Sequence, residues 1–150
     1  MEQFPYSAFG PHLTLDGYGA DPLALANLDK IYSFLEEAPD LIQMTKIMPP
    51  YVFKYKGPKP EDRGISGFVL IAESHICIHT FPERSYLSAD AFSCRDFNYQ
   101  VLIDDLVRRF RIRRFEHNLF DRGLEWGKDA GVARRLIQRE RRLKACGEGR

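Results

Sequence analysis

The chain has no long apolar run, no cysteine pair at metal or redox spacing and almost no net charge, and each lack removes a class of function. No stretch approaches the about 18 consecutive apolar residues of a membrane-spanning helix. The start, MEQFPYSAFG, has neither the basic region nor the apolar region of a secretory leader. The expectation is a soluble cytoplasmic protein without a membrane partner. Cys77, Cys94 and Cys146 are an odd count with no CxxC among them, which argues against a disulfide framework and a structural zinc site. A net charge of +1 gives no whole-molecule field to draw the chain onto nucleic acid, so no nucleic-acid partner is expected. What is present is ordinary for a folded chain: 150 residues, 44% apolar and 29% charged, enough for one core.

Hydrophobic periodicity lays out a mixed domain. Leu13 and Leu15 alternate with Thr14 and Asp16 as in a half-buried strand over His12 to Tyr18. Asp21 and Pro22 suit an N-cap and first helical residue, and Leu25, Leu28, Ile31, Tyr32 and Leu35 form one face of a helix expected to stop before Pro39. Leu41 to Met48 and Tyr51 to Tyr55 read as short strands around Pro49 and Pro50, and Gly57 to Gly64 (GPKPEDRG) reads as a loop. Ile65 to Ala72, His75 to Thr80 and Tyr86 to Cys94 follow as strands, with a turn over Phe81 to Ser85. Asn98 is placed to cap a helix with Tyr99, Leu102, Ile103, Leu106 and Phe110 on its apolar face, and a last strand is expected near Ile112 to Phe120. The predicted fold class is α+β, a two-layer sandwich of a mostly antiparallel sheet with helices packed on one face. Residues 1–127 are expected to form one domain. Residues 128–150, with eight basic side chains against three acidic ones, are expected to form a basic, helical tail, to which the sequence assigns no function.

Chemistry concentrates in Gly64 to Cys94. An apolar strand runs into Glu73-Ser74-His75, then Ile76-Cys77-Ile78-His79-Thr80-Phe81-Pro82-Glu83, and further on Cys94. This segment resembles the bacterial and archaeal S-adenosylmethionine decarboxylase proenzymes, with weaker support from HLTLDGYG at His12 to Gly19. Amino-acid decarboxylation needs an electron sink, and the chain shows no pyridoxal phosphate lysine motif. The resemblance implies that the protein makes its own. It implies that Ser74 attacks the carbonyl of Glu73, that the chain is cut between residues 73 and 74, and that a pyruvoyl group is left at the new amino end. It further implies Cys94 as the acid that reprotonates the substrate α-carbon, His79 with Ser66 in proton transfer during self-processing, and Glu83 as the binder of the substrate ribose. Cys77 is read as sheet packing. The implied assembly is a homodimer of processed chains acting on a small-molecule substrate for polyamine (spermidine) synthesis.

Strand geometry bears on the same residues independently. A hairpin turning at Arg84 would set Ser74 opposite Cys94, about 5 Å apart. A second, turning near Ala72 and Glu73, would pair Ser66 with His79 and put the scissile bond at an exposed, strained corner. Ser74 and His79 would then lie roughly 16 Å apart on opposite faces of one strand, so either a bulge redirects the chain or another subunit supplies His79. The chain departs from the family where an aromatic residue is expected to stack on adenine, for that place holds Pro60, with Phe53 and Tyr55 as available replacements. A pyruvoyl-dependent decarboxylase of another amine, such as arginine or ornithine, is therefore the runner-up. From another class comes a non-catalytic partner subunit, or a metal-binding module using His75, Cys77 and His79, which a strand would show on one face.

Overall fold

The computed structural model describes residues 8–124, 126, 131, 134–135 and 137–139. They fall into two compact units, one of Gly10–Phe120 and one drawing on both ends of the chain, Met1–Phe9 and Asp121–Arg150.

The larger unit begins with β1 (Gly10–Tyr18), followed by α1 (Pro22–Leu25) and α2 (Leu28–Leu41). It continues with β2 (Tyr51–Tyr55), β3 (Gly64–Ile71), β4 (Ser74–Phe81), β5 (Tyr86–Phe92), α3 (Tyr99–Phe110) and β6 (Arg114–Arg122), whose last two residues belong to the smaller unit. The sheet order is β2-β3-β4-β5-β1-β6, and β2·β3, β3·β4, β4·β5 and β1·β5 are antiparallel. One sheet face supplies the core: Leu13, Leu15, Val69, Ile71, Ile76, Ile78, Leu87 and Ala91 are buried with Ile31, Phe34 and Leu35 of α2 and Leu102, Leu106 and Phe110 of α3. This is the expected α+β sandwich with helices on one side. Gly67 allows the helices to come close, because a Cβ there would stand 2.8 Å from Leu35 Cδ1.

Four expectations are corrected here. The single helix after Asp21 is two: Asp21 caps α1 by accepting from the Leu23 amide at 3.0 Å, and Asn27 caps α2 by accepting from the Lys30 amide at 3.0 Å. Nor does α2 stop before Pro39. It runs to Leu41 with Pro39 in its last turn, where the missing proline amide costs only one intrahelical bond. Leu41 to Met48 is consequently not a strand. Gln43 turns the chain at φ 56°, Ile42 and Met44 are buried in the core, and the segment's one bridge to the sheet is Lys46 to Ile71. The last strand also starts two residues late, at Arg114.

Thr80 ties the layers together from within. Its buried hydroxyl donates to the Leu25 carbonyl at 2.8 Å and accepts from the Ile65 amide at 3.1 Å. Thr80→Val keeps the volume and removes the hydroxyl that both groups use, so it is expected to cost about 1–3 kcal/mol, read as a lower denaturant midpoint at unchanged slope.

In the smaller unit, the Phe9 amide donates to the Arg122 carbonyl at 2.8 Å, and the Phe9 and Trp126 rings meet edge to face at 5.1 Å. Gly131, Arg134, Arg135, Ile137, Gln138 and Arg139 are helical. The rest of the expected helical tail lies outside the described residues, as does Cys146.

Candidate active site

β3 and β4 are joined by the tight turn Ala72-Glu73, with Ile71 and Ser74 as the last pair of the ladder. Glu73 is exposed, whereas the Ser74 hydroxyl is buried. Among the described residues Ser74 Oγ is a buried side-chain oxygen with no hydrogen-bond partner. Leaving a hydroxyl so costs about 1–3 kcal/mol, and native proteins seldom tolerate it without a use. The Cys94 thiol reaches the same turn, donating to the Ala72 carbonyl at 3.8 Å. The turn is thus followed directly by a hydroxyl with no bond of its own, and a thiol is bonded to its first carbonyl.

The register differs from expectation by one residue. Phe81 pairs with Tyr86 and His75 with Phe92, so Ser74 does not stand directly opposite Cys94. A 3₁₀ turn over Pro82–Arg84, closed by Ser85 at φ 47°, makes the loop four residues long and centres it between Glu83 and Arg84. Cys94 instead reaches the turn after the chain has left β5.

The second expected pair is present as drawn: Ser66 stands opposite His79, and Ser66 Oγ and His79 Nδ1 are hydrogen-bonded at 2.8 Å. Both are on the sheet face without helices, where His79 is exposed. Ser74 shares the parity of the core residues Ile76, Ile78 and Thr80. A regular β4 thus holds Ser74 and His79 on opposite sides, roughly 16 Å apart, with no bulge between them.

Glu83 is exposed in the Pro82–Arg84 turn and lines a cavity of about 270 Å³ with Lys54, Tyr55, Pro60 and Arg63. A neighbouring cavity of about 410 Å³ is lined by Phe53, Tyr55, Ser66 and Phe81. Tyr55 belongs to both, which places an aromatic ring beside Pro60 and Glu83 on one side and beside Ser66 on the other.

Sequence reasoning missed one cluster. His12 Nε2 and His75 Nε2 lie 3.1 and 3.0 Å from the same oxygen, Asp90 Oδ2. His12 and Asp90 each alternate with buried neighbours and so read as polar-face residues, but only the β1·β5 and β4·β5 registers bring them to His75. Cys77 stands opposite Asp90, and burial, with a smaller effect from the Asp90 charge, pushes its thiol up to about 11. It is a neutral thiol at physiological pH and should be alkylated far more slowly than an exposed cysteine, a difference that peptide mapping after iodoacetamide would read.

Fold and site together define an α+β domain whose β3–β4 turn ends on a buried, unpartnered serine hydroxyl and accepts a cysteine thiol at its first carbonyl. The family model described as S-adenosylmethionine decarboxylase matches residues 11–123, and the chain belongs to that family. The S-adenosylmethionine decarboxylase proenzyme of Thermococcus kodakarensis is 30% identical over 141 residues, covering 93% of this chain and 94% of that protein. The proenzymes of Archaeoglobus fulgidus (32% over 115 residues, 76% of this chain and 97% of that protein) and Thermococcus onnurineus (39% over 117 residues, 77% and 79%) are also similar. Among solved structures, the adenosylmethionine decarboxylase from Aquifex aeolicus is similar with a TM-score of 0.68 at 27% identity, covering 82% of this chain and 98% of that one.

Proposed function

We propose that the chain is a self-processing, pyruvoyl-dependent decarboxylase of S-adenosylmethionine, supplying the aminopropyl donor of polyamine synthesis. The observation that carries this reading is the buried, unpartnered Ser74 hydroxyl at a turn that the Cys94 thiol also reaches, in a chain of this family. With no competing hydrogen bond, Ser74 Oγ is free to attack the Glu73 carbonyl carbon. The amide C–N bond breaks as the ester C–O bond forms, and the proton passes to the freed Ser74 amine. Loss of the Ser74 α-proton with cleavage of the ester then releases Glu73 as a carboxylate, and hydrolysis of the dehydrated residue expels ammonia. The pyruvoyl group so formed supplies the electron sink for decarboxylation. His79, held by Ser66, moves protons during processing, Cys94 holds the proton destined for the substrate α-carbon, and Glu83 accepts hydrogen bonds from the two ribose hydroxyls.

In this reading residues 1–127 are the catalytic domain, 128–150 the basic tail, and the enzyme works in the cytoplasm as a homodimer. Among the described residues no helix is long and apolar enough to cross a membrane. The dimer rests on two observations. His79 and Ser74 sit on opposite sides of β4, and the helix-free face carries exposed Tyr51, Phe53 and Phe120, a surface that a second copy can cover.

Substrate choice is tested by measuring carbon dioxide release from S-adenosylmethionine, arginine and ornithine with one processed preparation. S-adenosylmethionine is the expected substrate, with Tyr55 in place of the aromatic lost at Pro60, and preference for either basic amino acid overturns the assignment. Glu83→Gln should raise KM roughly ten- to a hundredfold while self-cleavage proceeds, because charge-assisted bonds to the ribose are weakened.

A further inference from the structure

We propose that His12, His75 and Asp90 form a binding site for one late first-row divalent cation of the zinc class, on the helix-free face of the sheet. The three side chains come from adjacent strands, β1, β4 and β5, and their ligand atoms all lie within 4.8 Å of one another. Both imidazoles present Nε2 to Asp90 Oδ2, at 3.1 and 3.0 Å. A tetrahedral ion with bonds of about 2.0–2.2 Å holds its ligands about 3.4 Å apart. Each imidazole stands a few tenths of an ångström inside that distance from the carboxylate oxygen, and the two imidazole nitrogens, within 4.8 Å of each other, close onto the ion as the rings turn. Two neutral imidazoles and a carboxylate are a donor set suited to zinc, cobalt or nickel, and three protein ligands leave a fourth position for water.

The surroundings favour a fixed site over a chance meeting of charges. The backbone registers Asp90 with Thr14, Cys77 with Asp90, and both His12 and His75 with Phe92, so none of the three ligands sits on a loop. The His12 ring packs against Phe92 at 5.4 Å and Phe120 at 5.2 Å, which limits water and strengthens the pull of the carboxylate. All three side chains are about two-thirds or more buried, His12 most of all at 14% exposure. The cysteine opposite Asp90 is not part of the group, and His79 directs Nδ1 to Ser66, so these ligands differ from the His75, Cys77 and His79 set that strand parity alone suggests. His75 follows Ser74 in the chain but points to the other face, and nothing in the proposed self-processing requires the ion.

Untagged protein is stripped with a chelator and titrated with Co²⁺ as a spectroscopic probe and with Zn²⁺ in competition. The expected result is one equivalent per chain, visible absorption of a four-coordinate cobalt site without a thiolate charge-transfer band, and a rise in melting temperature on the order of 5 °C under saturating zinc. Asp90→Asn and His12→Gln should each weaken binding at least about tenfold, whereas Cys77→Ala and His79→Ala should keep it. The titration is repeated on Ser74→Ala, so the answer does not depend on whether the chain cleaves itself. A wild-type chain that takes up no metal, unchanged affinity in both Asp90→Asn and His12→Gln when they melt as folded proteins, or a thiolate band lost in Cys77→Ala, each overturns the proposal.

Discussion

Ser74→Ala is expected to remain one chain under denaturing conditions, where the wild type separates into two fragments of nearly equal size. The larger wild-type fragment should be blocked at its amino end. The effect is all or none because only a hydroxyl on residue 74 itself can form the ester whose elimination leaves a blocked amino end: Ala72 has no nucleophile, the Glu73 carboxylate is exposed to solvent, and a thioester on Cys94 would leave residue 74 an ordinary amine. Loss of cleavage cannot be charged to misfolding. The substitution removes a buried hydroxyl that has no partner, so its expected effect on stability is neutral or favourable by up to about 1 kcal/mol. Thermal melts of the variant and of the uncleaved wild-type precursor should therefore coincide or favour the variant. A wild-type chain that stays whole and unblocked after prolonged incubation would end the pyruvoyl reading, and with it the roles proposed for Cys94 and Glu83. Cys94→Ala, by contrast, should still be cut but turn over slowly, because it leaves Ser74 in place and takes away the proton held for the product.

Much of this site could be read before any coordinates, and the parts that could not share a physical cause. Alternation in Ile65 to Ile71 and in His75 to Thr80 gives the faces of β3 and β4, and the two-residue turn between them fixes the Ser66–His79 pair. The β4–β5 register differs by one residue from a turn centred on Arg84 because the Pro82–Arg84 turn closes through Ser85 in a left-handed conformation, which neither serine nor the preceding Pro-Glu-Arg announces. Pro39 read as a helix end, yet in the last turn of α2 the burial of Ala38 and Ile42 outweighs one absent amide. The His12, Asp90 and His75 cluster depends on β1 pairing with β5, which brings His12 to Asp90 from 78 positions away in the chain, a long-range register with no local signature. Parity within one strand is legible in a sequence; pairing between distant strands is not.

Co-expression of Ser74→Ala and His79→Ala chains is expected to restore self-cleavage that neither variant shows alone. Each element of the argument is a placement on β4. Ser74 lies with the core-facing positions at the turn, His79 is exposed on the opposite face five residues away, and the intervening ladder is regular from Ser74 to Phe81. One chain therefore has no route by which its own His79 reaches its own Ser74 turn. A mixed dimer contains an intact His79 on the Ser74→Ala chain and an intact Ser74 on the His79→Ala chain, so one complete site per dimer is assembled. With random pairing about half of the His79→Ala chains enter mixed dimers, and about half of that chain should be recovered as fragments. The Ser74→Ala chain should stay whole in the same mixture, which identifies the cleaved partner by mass. Ser66→Ala should lower the rate without abolishing it, because it removes only the bond that orients the imidazole. If both variants fold and associate but no fragment appears, or if His79→Ala cleaves by itself, the shared site is excluded and His79 acts elsewhere than at the Glu73–Ser74 bond.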